Sequence, residues 1–197
     1  LSDSKFRKQT GALAGDEGIF PTTAEGLGKL KPVKEGGTIT FGGQTHPADG
    51  NAGAIVTTRE RARDVATDKA IEVEILGFGM ARVEPGYMPM APSPAAVNAL
   101  KHAGVDIAGI DAIKTHNPFA VNDIALARDT GFAWQKMNNY GSSIVWGHPQ
   151  APTGMRAIIE LIEELALRGG GVGLFTGCAA GDSGYATVIR VTDSRKG

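Results

Sequence analysis

The sequence of 197 residues has a single cysteine, few aromatic residues and no surplus of charge. One cysteine cannot form an internal disulfide, which favours a reducing, cytoplasmic compartment. The net charge of −1, with acidic and basic residues interspersed, excludes a basic nucleic-acid footprint and a polybasic membrane patch. No apolar run approaches the roughly 20 residues that a membrane-spanning helix needs. The sequence therefore predicts a cytoplasmic protein that binds neither nucleic acid nor membrane.

Several metal-binding and catalytic motifs are also absent. The four histidines form no HxxxH or HxH pair and Cys178 has no neighbouring cysteine, so we expect no metal site and no bound cofactor. GxSxG does not occur, which leaves a serine hydrolase without motif support. The GGGVG run at 169–173 lies between a predicted helix and a predicted strand, the reverse of the order in a phosphate-binding loop. That run instead predicts a helix C-cap.

Glycine, by contrast, is abundant, with 28 residues and no collagen-like period, which indicates many tight turns. Strands alternate with helices, and this order predicts an α/β fold with a mixed sheet. Gly77 and Gly79, in the longest predicted strand, indicate a bulge or the close approach of a backbone or a ligand. The weak joint at 67–69 divides the chain into residues 1–69 and an α/β unit of residues 70–197. The predicted strands are 38–41, 52–58, 71–83, 110–115, 171–176 and 185–191, and the predicted helices are 24–30, 59–66, 95–103, 120–130 and 155–167.

Two polar residues stand out as candidates for chemistry. Gly147 and Pro149 hold His148 in a turn before an apolar helix, and Cys178 ends a predicted strand ahead of small residues. An imidazole can act as a base near neutral pH, and a thiol can act as a nucleophile or as an acid and base. The pattern alone leaves open a catalytic cysteine–histidine pair or a buried, inert cysteine.

Four sequence blocks point to a family. They are DEGIFPTTAEGLGKLKPV at 16–33, HNPF at 116–119, GHPQAPTG at 147–154 and GCAAGDSG at 177–184. In this order, with 31 residues from Asn117 to His148 and 30 from His148 to Cys178, they resemble the C-terminal half of thiolases. The resemblance implies Claisen chemistry on 3-ketoacyl-CoA, a layered α-β-α-β-α fold, and assembly into dimers or tetramers.

The resemblance also implies roles for individual residues. His148 matches the histidine that activates the nucleophilic cysteine, and Cys178 matches the second cysteine, which moves the α-proton of acetyl-CoA. Asn117 matches the asparagine of the family's NEAF block, which holds a water of the first oxyanion hole. The backbone N–H of Ala180 matches a donor of the second oxyanion hole. The substrate-binding positions are Met88, Phe119 and Gly147, and the substrates are coenzyme A thioesters.

This chain departs from the family in ways that affect function. HNPF replaces NEAF, and Ala180 stands in a run that is usually richer in glycine. The family's nucleophilic cysteine belongs to an N-terminal half, of which residues 36–66 would supply only the last strands and helix. We therefore expect a partner that carries that half, either a separate chain or a cleaved part of the same polypeptide. The first residue is not methionine, which favours cleavage or separate chain assignment over a separately encoded subunit.

Two other functions remain open from the sequence. A non-catalytic thiolase-like subunit could bind a coenzyme A ester or scaffold a complex, and an unrelated α/β binding module is the third alternative. Turnover with a complete N-terminal half would separate the first of these from an enzyme.

Overall fold

The computed structural model describes residues 2–15 and 19–196. The first three residues of the block at 16–33 lie outside this part of the chain. The elements, in chain order, are α1 (Ala24–Gly28), α2 (Arg59–Val65), β1 (Ile71–Arg82), α3 (Pro92–Ala103), β2 (Ala112–His116), α4 (Ala120–Thr130), α5 (Ser143–Trp146), α6 (Thr153–Arg168), β3 (Gly170–Ala179) and β4 (Ser183–Asp193).

The four strands form one mixed sheet in the order β1-β4-β3-β2. β4 is antiparallel to both β1 and β3, whereas β2 and β3 are parallel. Helices α3 and α4 cover one face over a core that includes Ala99, Leu126 and Val188. Helix α6 covers β2, β3 and part of β4 on the other face, through Leu161 and Leu165. The predicted α/β class is confirmed, and these elements form three layers: helices, sheet and helix.

The glycines of β1 let α3 approach the sheet very closely. A Cβ at Gly77 would lie 2.7 Å from the Ala103 amide nitrogen, and one at Gly79 would overlap the Ala95 carbonyl oxygen. The register also shifts between Ile75 and Gly77. Both features predicted for this strand, a bulge and a close backbone approach, are therefore present.

Glycine also ends the long helices, as the sequence predicts. Helix α4 ends at Gly131 and α6 at Gly169, each with a left-handed backbone (φ of 72° and 92°) that closes the helix. The GGGVG run begins as the C-cap of α6 and continues into β3, as expected.

Residues outside the sheet bond to part of each of its outer edges. At the β2 edge, the Asn138 backbone N–H donates to the Ile113 carbonyl, and its side chain accepts from the Thr115 N–H at 2.8 Å. At the β1 edge, Asn98 of α3 donates to the Met80 carbonyl at 2.9 Å, and His102 Nδ1 contacts the backbone of Phe78. These contacts satisfy backbone groups that an edge strand otherwise leaves free.

The strands predicted at 38–41 and 52–58 do not form. Thr40 caps a short 3₁₀ turn at Phe41–Gly43, and residues 52–58 are unpaired, with Ile55 and Val56 exposed. An apolar run becomes a strand only where a neighbouring strand and a covering layer exist, and the described residues offer neither here. Helix α2 forms as predicted, although it buries no residue. It is the only one of the elements predicted within residues 36–66 that forms. The division at residues 69 and 70 stays a prediction. Among the described residues, no helix is long and apolar enough to cross a membrane.

Candidate functional site

The site lies where β2 and β3 end side by side. These strands are parallel, and His116 at the end of β2 pairs with Gly177, one residue before Cys178. Parallel neighbours place their carboxyl ends at one edge of a sheet, which brings the HNPF block and the cysteine loop together. Residues 44–47 connect the turn that carries His148 to the HNPF block. The His148 N–H donates to the His46 carbonyl at 2.8 Å, and Gln44 pairs with Phe119 of HNPF.

A cavity of about 330 Å³ opens at this edge. Five of the seven predicted site residues contribute to its wall: Met88, Phe119, His148, Cys178 and Ala180. Asn117 and Gly147 do not. The remaining lining residues are Gln44, Thr45, His116, Pro118 and Ala179.

His148 is held firmly in the wall. Its Nδ1 lies 2.8 Å from Thr153 Oγ1, so Nε2 is the ring nitrogen left for the cavity. Partial burial lowers the pKa of His148, and the positive charge of Arg156 lowers it further. The ring is therefore neutral at neutral pH, the state that a base or a neutral hydrogen-bond donor needs.

Gly147 acts through its backbone rather than as part of the wall. Its φ is 80°, and a Cβ there would lie 2.6 Å from Ala48 Cβ and 2.9 Å from His46 Nε2. A side chain at this position would displace the segment that anchors His148.

Cys178 ends β3 with its side chain partly exposed. Burial raises the pKa of the Cys178 thiol, although the nearby Asn122 side chain acts in the opposite direction. Asn122 is buried and is fixed by the Phe119 N–H, at 3.2 Å from its Oδ1. The thiol is thus mainly protonated at neutral pH, which suits a group that gives and retakes a proton.

Ala180, two residues after Cys178, lies in the turn between β3 and β4. Its backbone N–H has no hydrogen-bond partner among the residues that the structure describes, and it lies beside the cavity. The left-handed positions of this turn are Gly181 and Asp182, with φ of 79° and 55°. Alanine at 180 therefore needs no unusual backbone conformation, and its N–H is free to bind an oxyanion.

Asn117 is engaged by the protein. Its side-chain Nδ2 donates to Asp123 Oδ2 at 2.7 Å, and its Oδ1 accepts from the Ile144 N–H at 3.2 Å. Thr115 and Asn138 also donate to Asp123, at 2.6 Å and 3.1 Å. Burial raises the pKa of Asp123, and these three side-chain donors oppose the rise. Asn117 thus ties the end of β2 to α4 and α5 from outside the cavity wall.

His116 lies in the wall instead, although the sequence motifs do not single it out. Its ring centroid is 4.3 Å from that of His148, with 39° between the ring planes. Its Nδ1 lies 2.6 Å from the buried Ser143 Oγ. Burial is the main cause that lowers the pKa of His116 to about 4, and positive charge at His148 and Arg156 adds to it. Two neutral imidazoles therefore face one cavity.

No group of three histidine, cysteine, aspartate or glutamate side chains is placed to hold a metal ion within residues 2–15 and 19–196.

Known proteins share both the sequence and the fold. The family described as Thiolase, C-terminal domain, matches residues 69–191. An acetyl-CoA acetyltransferase of Syntrophomonas wolfei is 35% identical over 177 residues, covering 88% of this chain and 44% of that protein. The human mitochondrial 3-ketoacyl-CoA thiolase is 34% identical over 190 residues, covering 95% and 47%.

Among solved structures, the acetyl-CoA acetyltransferase of Bacillus anthracis matches with a TM-score of 0.76 and 29% identity, covering 86% of this chain and 43% of its own. The chain spans a little under half the length of the relatives that it matches. The likeness extends through sequence and fold. This chain belongs to the thiolase family.

Proposed function

We propose that this chain is the C-terminal catalytic part of a thiolase, which condenses acetyl-CoA with an acyl-CoA or cleaves a 3-ketoacyl-CoA with coenzyme A. The observation that carries the proposal is the cavity at the ends of β2 and β3, where His148, Cys178 and the Ala180 N–H meet. Proton transfer at carbon and stabilisation of two oxyanions need these types of group in one place.

Each group has a defined task in this chemistry. His148 takes the proton of a nucleophilic cysteine through Nε2, and the Thr153 hydroxyl can accept from or donate to Nδ1 as the proton moves. In thiolysis the Cys178 thiol gives its proton to the α-carbon as the carbon–carbon bond breaks. In condensation the Cys178 thiolate removes that proton, and the electron pair passes into the enolate. The raised pKa of the thiol keeps it protonated at rest, which is the form that thiolysis starts from. The Ala180 N–H binds the oxyanion of the tetrahedral intermediate.

The nucleophile has to come from outside this sequence, because Cys178 is its only cysteine. We propose an N-terminal thiolase half as the partner, either a separate chain or part of the same polypeptide. An uncovered apolar face supports this partner. Val73, Ile75 and Met80 of β1 are exposed on the face of the sheet that α6 covers elsewhere, and Tyr185 of β4 lies beside them. Exposed apolar area of this kind marks an interface. Dimers or tetramers of the complete unit are part of the same proposal.

A substitution on this face tests the partner. Met80→Glu should abolish association with the N-terminal half, because a charge would be buried against apolar surface, and should leave the melting temperature of the chain nearly unchanged. Val97→Glu is the matched control, since Val97 is exposed on α3, on the opposite face. Association is measured by analytical ultracentrifugation. Equal binding by both variants would rule out this face as the interface.

Reconstitution tests the reaction. The chain mixed with the complementary half should cleave acetoacetyl-CoA, and Cys178→Ala should abolish this turnover. Acylation of the nucleophilic cysteine by acetyl-CoA should persist, because that step breaks no carbon–carbon bond. Mass spectrometry of the acylated half separates the two steps. Turnover that survives Cys178→Ala would overturn the role given to this residue.

One observation favours the alternative of a non-catalytic subunit that binds a coenzyme A ester: the Asn117 side chain is bound to the protein outside the cavity wall. That function predicts measurable binding of acetyl-CoA by calorimetry with no turnover and no acylation in the reconstituted complex.

A further inference from the structure

We propose that a buried ionic network beneath the cavity keeps the imidazole of His148 in its uncharged, basic form. The network consists of Lys114, Glu160 and Arg156. These are positioning residues, because they act through His148 and do not belong to the wall of the cavity. The inference rests on the proposed function, since His148 is the base of that reaction. Its physical basis is that the network holds two positive charges and one negative charge, and the surplus disfavours a further positive charge beside it.

Helix α6 carries two of the three residues on the face that holds His148. The Thr153 hydroxyl contacts His148 Nδ1 at 2.8 Å, and Arg156 and Glu160 follow Thr153 three and seven residues later. Residues at these spacings share one face of a helix. Arg156 therefore lies one turn from the residue that holds the imidazole.

Strand β2 supplies the third residue. Lys114 and His116 are two residues apart, so their side chains point to the same face of the sheet. Lys114 has no exposed surface, and its Nζ lies 2.7 Å from Glu160 Oε2 and donates to the Gly141 carbonyl at 2.7 Å. His116 in turn contacts the ring of His148. The network and the two imidazoles therefore occupy one layer between β2 and α6.

The charges of the network do not cancel. Arg156 Nε lies 3.3 Å from Glu160 Oε1, so one carboxylate faces two cations. Among the described residues Arg156 has no other ion-pair partner, and its Nη2 is buried without a hydrogen bond. A buried ion pair adds little stability, because desolvation offsets the attraction, but its charges act strongly on neighbours in the same low-dielectric surroundings. One positive charge is therefore left over beside His148.

The other groups near His148 do not carry this charge. The described residues place four titratable or charged groups around it: His116 of β2, Arg156 of α6, Cys178 of β3 and His46 of the 44–47 segment. The pKa of His116 is lowered to about 4 and that of Cys178 is raised, so both are uncharged at neutral pH. The guanidinium of Arg156 stays charged. Burial is the first cause that lowers the pKa of His148 and the charge of Arg156 is the second, so substitutions in the network should change the second cause alone.

Histidine NMR titrations of the chain test the network without any assumption about the reaction. Lys114→Gln keeps a donor for the Gly141 carbonyl but removes a positive charge, so the titration of His148 should move to higher pH. Glu160→Gln removes the negative charge and should move it to lower pH. A substitution that only loosened α6 would expose the ring to water and raise its pKa in both variants. The proposal is overturned unless the two variants move the titration in opposite directions.

Helix α6 also offers a matched control. Glu164 and Arg168 form another ion pair four residues apart, and Arg168 is twelve residues, about 18 Å, beyond Arg156. Arg168→Gln should leave the titration of His148 unchanged, whereas Arg156→Gln should move it to higher pH. Equal movement in these two variants would overturn the assignment. If Lys114→Gln does not fold, Arg156→Gln takes its place in the comparison with Glu160→Gln, because the Arg156 side chain is partly exposed.

The rate of acylation by acetyl-CoA, in the complex with the complementary half, tests the link to the reaction. At about pH 5.5, Lys114→Gln should be acylated about 3–10-fold more slowly than the unaltered complex, because more of His148 is protonated, and the two rates should be nearly equal at about pH 8. KM should change little. An unaltered complex that is not acylated would contradict the proposed function, whereas the NMR titrations would still decide the network. An unaltered pH dependence in Lys114→Gln, despite a moved titration, would overturn the role of the network in the reaction alone.

Discussion

Acidification should destabilise the chain through His116, and the size of the effect can be worked out from its pKa. An unfolded histidine titrates near 6.5 and His116 in the fold near 4, because its ring is buried. Between these values the unfolded chain binds more protons than the folded chain, so the free energy of unfolding falls as pH falls. A shift of this size corresponds to roughly 3 kcal/mol below pH 4, of which roughly 2 kcal/mol is lost between about pH 7 and pH 4.5.

The assay compares urea unfolding of the unaltered chain and of His116→Gln across that pH range, followed by circular dichroism. His116→Gln should be less stable at pH 7 and should lose roughly 2 kcal/mol less on acidification, so the two curves converge. The pKa of His148 is also lowered and acts with the same sign, but it contributes to both curves. The raised pKa of Asp123 acts with the opposite sign, again in both. Parallel curves would show that His116 titrates normally in the fold and would refute the reasoning.

Two packing predictions follow from the core. Gly79→Ala should cost about 1–3 kcal/mol or more because the new Cβ overlaps the backbone of α3 at Ala95, whereas Gly53→Ala, with nothing within 4 Å of the added atom, should change little. Leu161→Ala, at a fully buried position of α6, should cost about 2–5 kcal/mol, whereas Leu167→Ala, at a position that is 70% exposed, should cost far less. Chemical denaturation of the four variants measures all of these differences, and equal losses within either pair would contradict the packing described here.

The sequence predicts those elements whose local pattern agrees with their tertiary surroundings. Helix α4 runs from Ala120 to Thr130 as predicted. The signals for its two ends are local, because HNPF precedes its first residue and Gly131 follows its last. The predicted strand at 52–58 fails for the opposite reason. A strand is defined by its neighbour, and sequence periodicity does not say whether a neighbour exists.

The sequence is limited in the same way within the site, where it does not show which of two neighbouring residues faces the cavity. The sequence correctly places His148 in a turn and Cys178 near the end of a strand, because glycine and proline mark such breaks locally. In HNPF the motifs single out Asn117, whereas His116 is the neighbour that lines the cavity. A shift of one residue along a strand moves a side chain to the other face, so a motif aligned one position away selects a residue that points elsewhere. Only the fold, through Asp123 and Ser143, shows which of the two neighbours faces the cavity.

The contacts along the outer edges of the sheet restrict how another polypeptide can join it. Asn138 forms hydrogen bonds with backbone groups on the outer side of β2, and Asn98 and His102 do the same on the outer side of β1. An additional strand would have to break these bonds before it could extend the sheet, so addition of a strand is disfavoured, in a partner and in an aggregate alike. The uncovered face beside α6 has no such barrier. The association proposed above would therefore stack layers rather than lengthen the sheet, and the occupied edge groups oppose the edge-to-edge pairing that leads to fibres.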